Sequence, residues 1–184
     1  MTELDFSILN WMHETLSCAF LDKVMPVVTS LGNAGLVWII TGVIMLFFKR
    51  YRKAGLTMLV GLLAGYLVGN LLVKNLVARP RPFELDPTIE LLIKAPTDRS
   101  FPSGHTLSSC CGATVLFKYR AEIGKAIGAA AIVLACLIAF SRLYLRVHFP
   151  SDVLGGAAMG IAVGILTYKV VNSRKINERL SKRA

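Results

Sequence analysis

Residues 126–171 read A-I-G-A-A-A-I-V-L-A-C-L-I-A-F, then S-R-L-Y-L-R-V-H-F-P-S-D, then V-L-G-G-A-A-M-G-I-A-V-G-I-L-T-Y-K-V-V. Two apolar runs, Ala126 to Phe140 and Val153 to Val171, flank a short polar segment. Runs of this kind, joined by so few residues, predict two helices crossing a bilayer with a polar turn at one surface. Working outward, three more runs repeat the pattern: Leu107 to Phe117, Leu56 to Val73, and Leu31 to Phe48. The first of these is short and carries Ser108, Ser109 and Thr114, so it is expected inside the bundle, away from lipid.

Composition agrees. The chain has 184 residues, is 54% hydrophobic and has a positive mean hydropathy. A soluble core would not need so much apolar content. The expected fold is all-α, a polytopic transmembrane bundle of five to six spans. Residues 1–30 are expected as an amphipathic or first membrane helix, residues 31–171 as the transmembrane catalytic bundle, and residues 172–184 as a basic cytoplasmic tail. In the first thirty residues Phe6, Leu9, Trp11 and Leu16 alternate with Asp5, Asn10, His13 and Glu14 at helical spacing, which fits a surface helix or a poor first span. Glu3 and Asp5 stand where a cleaved secretory signal would be basic, so none is expected.

The net charge of +10 invites a nucleic-acid reading. The basic residues instead sit beside the spans: Lys49, Arg50, Arg52 and Lys53, then Lys118, Arg120 and Lys125, then Lys169 and the tail from Arg174 to Arg183. Alternating spans put all three groups on one side, expected to be cytoplasmic. No nucleic-acid partner is expected, and anionic lipid accounts for the charge. The segments 74–102 and 142–151 then fall on the opposite, extracytoplasmic side, and 83–100 reads as a loop able to cover a site there. Cys18, Cys110, Cys111 and Cys136 show no metal-ligand spacing and are expected as free buried thiols without function. Glycine recurs at every fourth position in Gly61, Gly65, Gly69 and in Gly156, Gly160, Gly164. Such stripes predict close helix packing within the chain, with a homodimer seam as the alternative.

Three polar clusters end these runs. Lys74 is followed by Arg79-Pro80 and Arg81-Pro82; alone this reads as an interfacial lysine with ordinary arginines, and spacing does not say which guanidinium would meet a ligand. The prolines hold the preceding residues extended. Phe101-Pro102-Ser103-Gly104-His105-Thr106 lies where a loop enters a span. Ser103 is a natural N-cap, Gly104 leaves the amides open to an oxyanion, and His105 sits in the first turn to move a proton. In Ser141-Arg142 … His148 … Asp152, Asp152 lies one turn from His148 if the backbone is helical from His148 onward. It can then orient the imidazole and leave the other nitrogen free to attack phosphorus.

Together the clusters resemble the type 2 phosphatidic acid phosphatase (PAP2) superfamily, whose signature is Lys-x6-Arg-Pro, Pro-Ser-Gly-His and Ser-Arg-x5-His-x3-Asp. All three match without a change of spacing, over Lys74 to Asp152, and the family's spacing selects Arg81 over Arg79. The resemblance implies that His148 attacks the phosphoryl group to form a phosphohistidine, that Asp152 orients it, and that His105 protonates the leaving oxygen and then activates water. It implies that Lys74, Arg81, Ser103, Gly104 and Arg142 bind the phosphate, with no metal and no cofactor. A membrane lipid phosphate is the implied partner, undecaprenyl diphosphate first, with phosphatidylglycerophosphate, phosphatidic acid or diacylglycerol pyrophosphate as alternatives. A bacterial plasma membrane is the expected location. A non-catalytic membrane scaffold and a transporter are the rival classes. The scaffold would have lost His148, His105 or Arg142, and the transporter would carry charge along its midplane.

Overall fold

Backbone groups inside a bilayer must pair within their own segment or in a closed sheet. The apolar runs meet that demand as helices in the computed structural model, which describes residues 2–173. In chain order the helices are α1 (Thr2–Leu16), α2 (Ala19–Leu31), α3 (Leu36–Phe47), α4 (Arg52–Gly65), α5 (Lys74–Val77), α6 (Pro82–Leu85), α7 (Gly104–Lys118), α8 (Arg120–Ile123), α9 (Lys125–Tyr144) and α10 (Pro150–Val171). A 3-10 turn, Asn33–Gly35, joins α2 to α3, and a π-helical segment, Tyr66–Val73, carries α4 into α5. No strand occurs among the described residues, so the all-α expectation holds. The basic tail from Arg174 onward lies outside the described residues.

α7 is the central helix, packed by α4, α9 and α10. The glycine stripes explain how they come so close. Gly156, Gly160 and Gly164 rest on the α7 carbonyls of Ser103, Leu107 and Cys111, while Gly61 faces Cys111, and Gly65 and Gly69 face Leu107. A methyl group at Gly156 or Gly160 would collide with the backbone at α7, whereas at Gly61, Gly65 or Gly69 it would press on the side chain of Cys111 or Leu107. Both stripes are thus buried within the chain, which leaves no exposed glycine seam for a dimer through them. The polar residues of α7 find partners inside: Trp38 Nε1 of α3 donates to Ser109 Oγ at 3.0 Å, and Ser108 Oγ donates to the His105 carbonyl at 3.1 Å. The short third run is interior, as its serines require.

The span count is smaller than expected. Among the described residues, Arg52–Leu85, Lys125–Tyr144 and Pro150–Val171 are long and apolar enough to cross a membrane, and α2 with α3 makes a fourth if that pair, bent by 42°, is one span. The run from Leu31 to Phe48 does not form one helix. Gly32 to Gly35 break it, with Ala34 at φ 51° and Gly35 at φ 69° in the left-handed region. α3 keeps 12 residues, so a crossing here would need α2 from the N-terminal thirty as its other part. α7, at 15 residues, is shorter than the roughly 20 a span needs.

α1 is amphipathic. Asp5, Leu9 and Met12 are buried at helical spacing, and Leu4, Ile8 and Trp11 form an exposed apolar stripe beside them. Its inner side meets α9 and α10. The cysteines divide: Cys111 is buried and Cys110 half-buried, but Cys18 and Cys136 are exposed, contrary to the expectation of burial. Cys136 shares the outer face of α9 with exposed Val133 and Leu137. Apolar surroundings in a membrane sequence do not distinguish a lipid-facing position from a core one.

Candidate active site

The three clusters converge on one cavity of about 920 Å³, lined by Lys74, Arg81, Gly104, His105, Arg142 and His148. Each arrives from a helix end. Lys74 begins α5, Arg81 is the residue before α6, His105 lies in the first turn of α7, Arg142 in the last turn of α9, and His148 in the loop before α10. Ser103 is the N-cap of α7: its fully buried Oγ accepts from Thr106 N at 3.4 Å and from Thr106 Oγ1 at 2.9 Å. It is not among the residues that line the cavity. The Ser103 amide donates to the Asp152 carbonyl at 3.1 Å, which ties the start of α7 to the start of α10.

His148 is buried, with 1% of its surface exposed. Its Nε2 lies 3.3 Å from Arg81 Nη1. A guanidinium can only donate, so Nε2 carries a lone pair and the proton belongs on Nδ1. Nδ1 faces Ser100 Oγ at 3.4 Å and Asp152 Oδ2 at 3.6 Å. Ser100 Oγ in turn donates to Asp152 Oδ2 at 2.5 Å, and the Phe149 amide donates to the same oxygen at 2.9 Å. The His148–Asp152 pair does not lie on one helical turn as expected. Phe149 is extended (φ −77°, ψ 154°) and α10 starts at Pro150, because proline favours a first helical position and holds the residue before it extended. The carboxylate reaches back from the third helical residue. Burial, joined by the charges of Arg81 and Arg142 and opposed by Asp152, brings the His148 imidazole down to about 3. At neutral pH it is an uncharged base.

The cations are held differently from one another. Arg81, 1% exposed, donates Nη1 to the Val147 carbonyl at 2.5 Å, Nε to the Asp98 carbonyl at 2.7 Å and Nη2 to Asp98 Oδ1 at 2.7 Å. Lys74 Nζ pairs with the other oxygen of Asp98. Burial alone would raise the Asp98 carboxyl, but Lys74 and Arg81 outweigh it and hold it at about 2. Arg142 Nη1 donates to Thr29 Oγ1 of α2 at 2.6 Å, while its buried Nε has no hydrogen-bond partner among the described residues. A buried guanidinium N–H without an acceptor is costly. A phosphoryl oxygen in the adjoining cavity would satisfy it.

Sequence reading missed four contributors. Asn33 Oδ1 meets His105 Nε2 at 3.0 Å, Ser100 bonds Asp152, and Asp98 joins Lys74 to Arg81. Arg79, passed over in favour of Arg81, donates Nη1 to Asp152 Oδ1 at 2.7 Å on the side away from the cavity. Ser100 and Asp98 lie just upstream of Phe101-Pro102, in the loop expected to cover the site. Asn33 carried no signal, because its partner is 72 positions away.

The family model described as the PAP2 superfamily matches residues 54–176. The chain is 33% identical to an undecaprenyl-diphosphatase of Sulfolobus acidocaldarius over 142 residues, 77% of this chain and 67% of that protein. It is 32% identical to phosphatidylglycerophosphatase B of Bacillus subtilis over 157 residues, 80% of this chain and 73% of that one. The crystal structure of a transmembrane PAP2 type phosphatidylglycerolphosphate phosphatase from Bacillus subtilis superposes with a TM-score of 0.77 at 27% identity, covering 94% of this chain and 88% of that chain. With its three motifs brought to one cavity, the match over residues 54–176 places the chain in the PAP2 superfamily, to which it belongs.

Proposed function

We propose that the chain is a membrane phosphatase that removes phosphate from a lipid diphosphate through a phosphohistidine on His148. The observation that carries this reading is the pairing of His148 between Arg81 and Asp152, which leaves the Nε2 lone pair beside the cations of the cavity. In the first step Nε2 attacks phosphorus, the bond from phosphorus to the leaving oxygen breaks, and His105, protonated once the bound phosphate offsets the burial and the cations that otherwise hold it neutral, gives that oxygen a proton. Asp152 offsets the positive charge that the imidazole acquires. In the second step a water attacks phosphorus, His105 takes its proton, the P–N bond breaks and inorganic phosphate leaves. Lys74, Arg81, Arg142 and the amide of Gly104 neutralise the non-bridging oxygens. Ser103 acts by capping the helix that presents that amide.

The reading includes no metal. Fixed cations face the place of the phosphate, and the described residues contain no group of three or more His, Cys, Asp or Glu able to hold an ion. A lipid substrate is supported by the far wall of the cavity, where Ile39, Leu59, Leu62 and Leu63 line it. Leu63 is also largely exposed, as expected of a cavity wall that opens towards lipid. Undecaprenyl diphosphate is the proposed substrate, on the strength of the Sulfolobus relative; phosphatidylglycerophosphate is the second reading, on the strength of the Bacillus one. The site is proposed to face away from the cytoplasm. Arg52 and Lys74 stand at opposite ends of one helical stretch, which at 1.5 Å per residue spans roughly 30 Å. The basic loop and the site thus lie on opposite membrane faces.

Phosphate release by the purified protein in EDTA tests the reading, using undecaprenyl diphosphate, phosphatidylglycerophosphate, phosphatidic acid and diacylglycerol pyrophosphate, with His148→Ala as control. Release that favours the polyprenyl substrate and vanishes in the variant is expected. No release from any substrate, or release by the variant, would overturn the mechanism. Orientation is tested with an impermeant thiol reagent on intact cells, where Glu90→Cys should be labelled and Arg52→Cys protected, in a background without Cys18 and Cys136. The opposite pattern would invert the topology.

A further inference from the structure

α1 places a carboxylate against the back of the His148–Asp152 pair. Asp5 is 4% exposed. Its Oδ2 accepts from Arg79 Nη2 and from Ser151 Oγ, both at 2.7 Å, and its Oδ1 accepts from the Ser151 amide at 3.0 Å. Through Nη1, Arg79 donates to Asp152 Oδ1 at 2.7 Å and to Ser151 Oγ at 2.6 Å. Its guanidinium also lies over the Phe149 ring, 4.1 Å from the centroid. Phe6 of α1 meets the same ring edge-on at 5.1 Å. Asn10 Oδ1, further along α1, accepts at 2.8 Å from Nη2 of Arg146, the residue at φ 53° in the loop that carries His148. One helix therefore holds this loop on both sides of the histidine.

We propose that Arg79, held by Asp5, is a positioning residue for the reaction: from behind, it fixes the carboxylate of Asp152 and through it the imidazole of His148. The proposal rests on the reading of His148 and Asp152 as the catalytic pair. Ser100, Phe149 and His148 all approach Oδ2 of Asp152. Oδ1 has Arg79, and that second anchor stops the carboxylate from rotating about its Cβ–Cγ bond. The charges add a reason for Asp5. Asp152 and Arg79 alone would sum to zero, and the imidazole would lose the anion that supports it when it carries a phosphoryl group. With Asp5 the set keeps one net negative charge. Arg79 does not line the cavity, so its effect belongs to the chemical step and not to substrate binding.

The test uses the full-length protein in detergent with one lipid diphosphate, measuring kcat, KM and thermal unfolding for wild type, Arg79→Ala, Arg79→Lys, Asp5→Asn, the double variant Asp5→Asn/Arg79→Ala, and His148→Ala. Displacing a reacting group by about 1 Å costs on the order of 100-fold. Arg79→Ala is accordingly expected to lower kcat about 10- to 100-fold per folded molecule, with KM within about threefold of wild type. Arg79→Lys should recover part of the loss. Asp5→Asn should lose less than Arg79→Ala, and the double variant no more than Arg79→Ala, since the two act as one unit. A purely structural role would lower yield and melting temperature and leave kcat per folded molecule intact. That result overturns the proposal, as does a loss carried by KM. Where Arg79→Ala fails to fold, the isosteric Asp5→Asn decides: kcat equal to wild type overturns the proposal and a selective fall in kcat supports it. Turnover by His148→Ala would instead bring down the parent mechanism, an outcome read from a separate variant.

Discussion

The two sides of the His148–Asp152 pair are built from the same kinds of residue and held in opposite ways. Towards the cavity stand Lys74, Arg81 and Arg142. Two of them share Asp98, whose side chain is 55% exposed, and the third keeps a buried Nε without a partner among the described residues. Away from the cavity stands Arg79, whose partners Asp152 and Asp5 have side chains 0% and 6% exposed. An exposed carboxylate is within reach of water and of competing anions, whereas a buried one is not. The front can therefore exchange partners when a phosphate arrives, while the back stays fixed. In the proposed mechanism, two arginines separated by a single proline are thus divided between binding and support.

The difference is broken most severely on the front. His148→Ala removes the proposed nucleophile and should cost on the order of 10⁶-fold in kcat, down to background. Arg142→Ala takes away a cation proposed to face the phosphate and should lower kcat/KM about 100- to 1000-fold, with KM rising as well, because both ground-state and transition-state phosphate would lose a partner. Arg142→Lys should recover little, since an ammonium cannot reproduce the guanidinium fork that bonds Thr29 and still presents Nε. Steady-state kinetics on one lipid diphosphate check all three. An Arg142→Ala variant with unchanged KM would place that residue with Arg79, among the supports, and dissolve the distinction between front and back.

Much of the front was legible in the sequence. The spacing of His148, Asp152, Arg142, His105 and Lys74 survives because each sits at a helix end, where a fixed number of residues from the membrane run sets its depth. The middles of α7, α9 and α10 were legible too, from unbroken apolar runs. α2 was not. Residues 1–30 read as one amphipathic or first membrane helix, with nothing to set Ala19–Leu31 apart as a second helix; Tyr144 OH donates to Asp22 at 2.6 Å, so a residue 122 positions away satisfies a charge inside it. The back of the site escaped for the same reason: the partners Arg79 and Asp5, or Ser100 and Asp152, are brought together only by the tertiary fold. Arg79 in particular was passed over for Arg81, because spacing along the chain does not say which guanidinium turns towards the cavity and which towards Asp5 and Asp152.

A smaller effect is expected at Asp98, the front's replaceable partner. Its carboxylate occupies the two cations that the reading assigns to phosphate, so an incoming anion has to displace it. Asp98→Asn removes that competition and keeps the shape. Inhibition by inorganic phosphate should strengthen by roughly three- to tenfold, about the effect of one exposed charge-assisted contact, with kcat changed by less. Product-inhibition constants for wild type and variant decide it. Weaker phosphate inhibition in Asp98→Asn would mean that the carboxylate orients Lys74 and Arg81 more than it competes with substrate, and the front would then be as fixed as the back.

The gentlest probe is pH. Burial holds the His148 imidazole at about 3 in the folded protein, against 6.5 for the free side chain. Above 6.5 neither the folded nor the unfolded chain protonates it, and its contribution does not vary. Below 6.5 the unfolded chain takes up the proton and the folded one does not, so stability falls progressively until about pH 3. Wild-type melting temperature in detergent should therefore drop between pH 6.5 and 4 more steeply than that of His148→Ala, which has nothing to protonate there. Parallel curves would mean that the imidazole titrates in place, with Asp152 and Ser100 accommodating its charge. The back of the site would then be an adjustable support, and the contrast with the front would be one of degree.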